Sequence, residues 1–430
     1  MIIYVEHISE RLIYTFDFIF KDQGIPYQLT NDLNHFLKST ERKLNYSSYP
    51  SDDLLTIVPA DLLFDESIVK QKITQGDFSG TPCLAFNGIS DPFASIFYIL
   101  SRYEEYLDFT PDEHDRFRAQ QSILTQFGWL QNLSCERWTR SILNLLFMHG
   151  ITRKGYEKSS LKIAPTFDID NSFAYKHKHG WRRIASTVKD ILARNQKRII
   201  ERKAVLSDRK ADPYDTFSYI QAIANRGFDV KVFWQLGDYG KYDTNVSHLN
   251  AAHQATIQSI ARNCTVGIHP SYASNQKPYM VEVEKSRLEQ IIEKPVYIAR
   301  QHFLKLRFPD TYENYLKYGI QHDYTLGYAQ KTGFRSGTLR PHFWFNLKRN
   351  VCTDLILHPF AYMDGTLCEY ERMSIEQAKS AIQSLYNEAK EFGGDFIFLW
   401  HNETINDYNK WKGWTQVLEF TLSLKTDDYE

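Results

Sequence analysis

Two aspartates close an apolar run in "LKIAPTFDIDNS", Leu161 to Ser172. Asp168 and Asp170 lie two residues apart, so in a strand their carboxylates share a face. Like charges held that close repel and shift each other's proton affinity. Such a pair suits a metal site or an acid/base function, although aspartates at a strand end also close turns by bonding to their own backbone. Polar residues follow several more apolar runs. His269 follows "CTVGI", and Arg300 and His302 follow "PVYIA". Arg335 follows "KTGF", Asp364 follows "LILHPFAYM" and His401 follows "DFIFLW". These are the side-chain types that ligate metals, move protons and stabilise anions.

The elements that must position them read as strands alternating with helices. Strand candidates are "LKIAPTF", "DVKVFWQL", "CTVGI", "PVYIA", "TDLILHPF" and "DFIFLW". Helical stretches lie between them, among them "VSHLNAAHQATIQSIARN", "TYENYLKYG" and "SIEQAKSAIQSLYNEAKEFGG". That order predicts a parallel sheet with crossover helices, open or closed into a barrel. The polar clusters then fall on one rim, since active sites gather at the C-terminal ends of barrel strands. Residues 1–157 predict a separate mixed α/β domain to which no task is assigned, and residues 158–430 form the barrel. Within the first part, "DPFASIFYILSRYEEYLDF" opens a helix at Asp-Pro. "CERWTRSILNLLFMHG" is an amphipathic helix closed by Gly150, and "LLTIVPADLLF" reads as a strand and turn. The charged blocks "SRYEEY" and "DEHDRF" are expected to form a solvated helix face and its loop.

Composition excludes several classes. A formal net charge of -1 argues against a nucleic-acid binder. The basic stretch Lys176–Lys210 is expected to be a solvated helical insertion. Five cysteines without a C-x-x-C pair fit a reducing compartment. No run reaches the ~18 apolar residues of a membrane span, and the N-terminus lacks a signal-peptide pattern, so a cytoplasmic protein is expected. The glycines lack G-x-G-x-x-G or Walker spacing, so no nucleotide site is predicted. Aromatic residues make up 15% of the chain, which suits a sugar site and equally a large core. In "WKGWTQ", Trp411 and Trp414 are expected to pack rather than bind. In "QLGDYGKYDTN", Asp238 or Asp243 could line the cleft.

Taken together, the blocks from about Leu161 to Trp414 resemble the polysaccharide deacetylase family, also called NodB-homology or carbohydrate esterase family 4, in a bacterial branch with its own N-terminal domain. "TFDID" stands at the family's T-F-D-D block, "GIHPSYAS" at H-[ST]-x-x-H, "GFRSGT" at the arginine block, "PFAYMDGTL" at the aspartate block and "FIFLWHNET" at L-x-L-H. The resemblance implies a distorted (β/α) barrel and a divalent metal, zinc with cobalt or nickel as alternatives. It also implies hydrolysis of an N-acetyl group on an amino sugar or glycan, placed by analogy in surface-polysaccharide biosynthesis. By position Asp168 would be the base and Asp170 a metal ligand, with the exchange of those roles left open by Ile169 between them. His269 would be a second ligand, Arg335 the residue that holds the base, His401 the acid and Asp364 its partner.

The second histidine of the H-[ST]-x-x-H block is absent, because Ala273 stands there. His302 is the proposed third ligand, with Asp323 and then Ser274 as weaker substitutes. Arg300, Asp323, Trp400 and Asn402, at or beside strand ends, are the expected substrate contacts. Two other readings stay open. One is an amide hydrolase of a non-sugar substrate. The other is a metal-free barrel that binds glycans or an unknown partner protein.

Overall fold

The computed structural model describes residues 1–178, 188, 192 and 195–424. In the N-terminal part, β1 (Ile2–Val5), β2 (Gln28–Thr30) and β3 (Lys43–Tyr46) form a parallel sheet in the order β2-β1-β3. Strands β4 (Ile73–Phe78), β5 (Thr81–Phe86) and β6 (Ile89–Ser90) form an antiparallel meander. The helix Pro92–Leu100 starts where Asp-Pro predicts. The Asp91 carboxylate caps it by accepting the Phe93 and Ala94 N–H groups. The second expected helix is observed as Ser134–Met148. "LLTIVPADLLF" instead supplies one isolated bridge, from Thr56 to Asn45, and a short 3₁₀ turn at Asp61–Leu63.

The remainder is built on a nine-stranded sheet that curls into a distorted half-barrel. Its strands are β7 (Leu161–Ile169), β8 (Lys231–Trp234), β9 (Thr265–Ile268), β10 (Ile298–Ala299), β11 (His322–Asp323), β12 (His342–Asn346), β13 (Val351–Leu357), β14 (Phe360–Met363) and β15 (Gly394–His401). Their order is β12-β13-β11-β10-β9-β8-β7-β15-β14, and every neighbouring pair is parallel except β12–β13. Crossover helices Phe217–Asn225, Ala251–Ile260, Met280–Ile292 and Ile375–Phe392 separate successive strands, as parallel pairing requires. The last of these begins with a full capping box, Ser374 with Gln377. Strands β11, β12 and β14 did not stand out in the sequence.

Strand alternation divides the side chains between two layers. Phe167, Val232, Trp234, Ile268, Phe396, Phe398 and Trp400 face outward into the main core. Ala164, Phe233, Ile298, Tyr324, Phe360, Ile397 and Leu399 fill a smaller core inside the curl. Asp168 and His401 continue the inner rows of β7 and β15.

The two parts share buried material. Tyr328, Phe345 and Leu347 of the barrel belong to the N-terminal core. Arg102, Glu104 and Glu105, expected on a solvated helix face, are buried at the junction. They are buried because opposite charges meet there. Arg102 bonds both glutamates, and Glu105 in turn meets Arg335 of the barrel. Of the basic stretch Lys176–Lys210, the helix Gln196–Leu206 is described, and most of 179–194 lies outside the described residues.

Candidate active site

The rim residues converge because the chain stays on the ladder for one residue past each strand. The His269 N–H donates to the Trp234 carbonyl at 2.9 Å, and the Arg300 N–H to the Ile268 carbonyl at 3.1 Å. Asp168 is buried, and its Oδ1 accepts from Arg300 Nη1 at 2.9 Å. The Arg300 guanidinium also donates to the Tyr324 carbonyl and lies 4.6 Å from the Phe233 ring centroid. The cation that meets Asp168 is therefore Arg300, from the end of β10.

Asp170 takes different neighbours. Its Oδ1 lies 3.2 Å from His269 Nε2 and 3.5 Å from His302 Nε2. That oxygen is buried without a hydrogen bond of its own. Ligand atoms of Asp170, His269 and His302 all fall within 4.8 Å of one another. Both imidazoles are oriented from behind. His269 Nδ1 is 2.6 Å from the Arg300 carbonyl oxygen, and His302 Nδ1 is 3.0 Å from Asp243 Oδ1. A carbonyl oxygen only accepts, so Nδ1 of His269 carries the proton, and its Nε2 lone pair faces Asp170 when the ring is neutral.

Without an ion the charges compensate locally. Burial pushes His302 down, but Asp170 and Asp243 outweigh it and raise the imidazole to about 9. Burial pushes Asp170 up, and His302 and His269 more than offset this, leaving it well below the usual carboxylate range. An orphaned carboxylate oxygen facing two backed imidazoles fits a divalent cation. Three protein ligands beside open space is the pattern of catalytic rather than structural zinc.

Across the pocket, His401 Nδ1 is 2.9 Å from Asp364 Oδ1. Asp364 is buried and also accepts the Gly365 and His401 N–H groups and the Thr404 hydroxyl. Its orientation is fixed on both oxygens. Burial lowers the His401 proton affinity, but Asp364, with Asp170 and Asp168, overrides this and holds it well above the ordinary histidine value. The charged form of the ring is thereby favoured, and His401 lines the pocket.

These groups line one pocket of about 180 Å³, with Phe303, Tyr370 and Trp411 as its aromatic walls. Trp411 also packs edge-on against Trp414, at 5.8 Å between centroids. Glu403 and Arg116 are among the lining residues that had no assigned task in the sequence. Glu403 follows His401, and burial raises its carboxyl to about 7. Arg116 comes from "DEHDRF", which was expected on a solvated surface. It is buried instead, because Asp112 and the Phe303 carbonyl hold its guanidinium.

Five expected site residues lie elsewhere. Arg335 does not meet Asp168. Its guanidinium is taken by Glu105, at 3.0 and 2.5 Å, and by the Gly327 carbonyl. Trp400 precedes His401 by one residue, so alternation turns it outward into the main core. The same rule turns Asp323 away from Tyr324 and the curl, where it accepts from Tyr312 and Thr325. Asn402 sits behind the rim, donating to the Asn171 and Tyr214 carbonyls. Ser274 bonds the Ser271 carbonyl and Gln301.

Residues 1–149 match a family of unknown function (DUF7033). No curated protein matches the chain. Among solved structures, the chain is similar to a provisionally named polysaccharide deacetylase from Mycobacterium smegmatis, with 13% identity and a TM-score of 0.40 over 64% of this chain and 87% of that one. It is similar also to the polysaccharide deacetylase Bc1974 from Bacillus cereus, with 11% identity and a TM-score of 0.31 over 62% and 86% of the two chains. The Puue allantoinase matches with 12% identity and a TM-score of 0.37 over 61% and 84%.

Proposed function

We propose that this chain is a metal-dependent hydrolase that removes an N-acetyl group from an amino sugar or glycan. The observation that carries the reading is the convergence of Asp170, His269 and His302 beside Asp168 and His401, which pair on adjacent strands. Asp170, His269 and His302 would hold the cation, and the mixed nitrogen and oxygen donor set suits zinc. When bound, such an ion supplies Lewis acidity toward an amide carbonyl and toward water.

The remaining work falls to the chain's own groups. Asp168, with one oxygen held by Arg300, accepts the proton of the attacking water on the other. His401, held by Asp364, donates its proton to the departing nitrogen as the C–N bond breaks, so acetate and a free amine leave. The motif order seen in the sequence supports the same assignment. The aromatic walls Phe303, Tyr370 and Trp411 favour a sugar over a non-sugar amide, since ring faces stack on sugars.

The test combines metal content with acetate release from N-acetylglucosamine oligomers. Protein purified without chelators is expected to hold about one zinc or similar ion per chain. That ion should be lost in His269→Ala and His302→Ala, and acetate release should stop on chelation and return with zinc. A wild-type chain that retains no ion after incubation with zinc, cobalt or nickel would sink the mechanism and leave a glycan-binding barrel.

A further inference from the structure

Arg116 is an N-terminal residue in a pocket otherwise built by the barrel. One edge of its guanidinium is fixed. Nε donates to Asp112 Oδ2 at 2.7 Å and Nη1 to the Phe303 carbonyl at 2.8 Å. Asp112 is itself saturated. Its Oδ1 accepts the His114 and Arg116 N–H groups, and its Oδ2 also accepts Gln330 Nε2 from the barrel. A guanidinium carries five N–H bonds. Among the described residues, the one further hydrogen-bond partner is Tyr370 Oη, 3.5 Å from Nη2 and at the limit of a hydrogen bond. Nη2 and the Tyr370 hydroxyl thus form a pair of donors beside the pocket. Tyr370 is 40% exposed, so its hydroxyl can turn toward a ligand.

We infer that Arg116, with Tyr370, binds an anionic group of the substrate, a carboxylate or a phosphate. The inference names a substrate class for the proposed hydrolase and rests on that reading in placing the amide beside His401. A planar fork of N–H groups matches either anion, and one already locked by Asp112 loses little freedom on binding. The rest of the lining is mainly carboxylates, imidazoles and apolar groups. A permanent cation at one edge therefore sets direction, with the anionic end of the sugar at Arg116 and the acetamide at the other side. The N-terminal part, through this one side chain, becomes a specificity element.

The competing role is purely structural. Phe303 and Leu304 both have positive φ, 59° and 52°, directly after His302. Arg116 could serve only to hold that turn through the Phe303 carbonyl. Calorimetric titration of the zinc-incubated full chain separates the two. The probes are N-acetylglucosamine, N-acetylglucosamine 1-phosphate and N-acetylmuramic acid.

A charge-assisted pair predicts that at least one anionic sugar binds about tenfold or more tightly than the neutral one. Which of the two is preferred distinguishes phosphate from carboxylate. The preference for the anionic sugar should vanish in Arg116→Gln and weaken in Tyr370→Phe. Equal affinity for all three probes in the wild type overturns the inference, as does a preference that survives in Arg116→Gln. Failure of wild type to bind any probe overturns it too. Acetate release and metal content, measured on the same samples, report separately on the hydrolase reading.

Discussion

Asp168 and His401 stand directly opposite each other on the parallel strands β7 and β15. Neighbouring strands are ~4.8 Å apart, and both side chains continue rows that line the inside of the curl. Each is anchored from its far side, Asp168 by Arg300 and His401 by Asp364. In the proposed mechanism these are the base and the acid, and on one rung of a ladder they flank whatever lies across it. That spacing suits an amide whose carbonyl carbon and nitrogen are one bond apart. Asp168→Asn and His401→Gln are therefore each expected to lower kcat by about 10²–10⁴-fold. KM and metal content should stay near wild type. Steady-state acetate release with parallel metal analysis checks this, and loss of the ion in Asp168→Asn would move that residue from base to ligand.

The Asp364–His401 pair makes a prediction about pH. In the proposed mechanism His401 donates a proton, so the rate is expected to fall as pH rises through its proton affinity. Burial lowers that affinity, Asp364 together with Asp170 and Asp168 outweighs it, and the net is well above the ordinary value. In Asp364→Asn the first of these raising partners is gone. The alkaline limb of kcat/KM should then begin at lower pH, shifted by about one unit or more. An unshifted limb would assign it to another group.

Metal affinity should carry a proton signature. In the absence of an ion His302 is raised to about 9, so at neutral pH its ring is charged. A cation must displace that proton. Below pH 9 affinity is expected to fall by about tenfold for each unit of acidification, and binding should release close to one proton. Asp243→Leu removes the acceptor behind Nδ1. It should weaken zinc binding by about 10–100-fold and flatten the pH dependence, because His302 loses one of the charges that raise it. Competition with a fluorescent chelator between pH 6 and 8 reads both effects.

Much of this was legible because strand periodicity is strong where both faces are buried. Runs such as "FIFLW" are apolar throughout, and the polar residue that ends each one marks the rim. The rim therefore emerged from sequence, including His302 as a neighbour of His269 across strands. Contacts between distant segments were not legible. Nothing near Arg335 in the chain reveals that Glu105, 230 residues earlier, meets it, nor that Arg300 meets Asp168. Trp400 and Asp323 were misplaced for a simpler reason. Adjacent strand residues point to opposite faces, so each was one residue out of phase with the inner row. "DEHDRF" looked like surface because its charges were counted without the partners that bury them.

Arg335 and Arg300 separate stability from chemistry. Glu105 and Arg335 are both buried, with side chains 1% and 4% exposed. Burial alone would raise the Glu105 carboxyl, but Arg335 and Arg102 outweigh it and hold it below the ordinary value. Breaking such a pair strands a charge where water cannot reach it. Arg335→Ala is expected to cost about 3–5 kcal/mol in urea unfolding, whereas Glu105→Leu with Arg335→Met together should cost much less. Arg102 stays behind in the double variant and still has Glu104 as a partner. The folded fraction of Arg335→Ala should keep its pH profile and kcat, since no catalytic group touches that arginine. Arg300→Met should do the reverse in kind, lowering kcat through Asp168, whose Oδ1 it releases. If Arg335→Ala impaired kcat as severely as Arg300→Met, the junction between the two parts would have to be coupled to the rim, and the division between scaffold and site drawn from these contacts would fail.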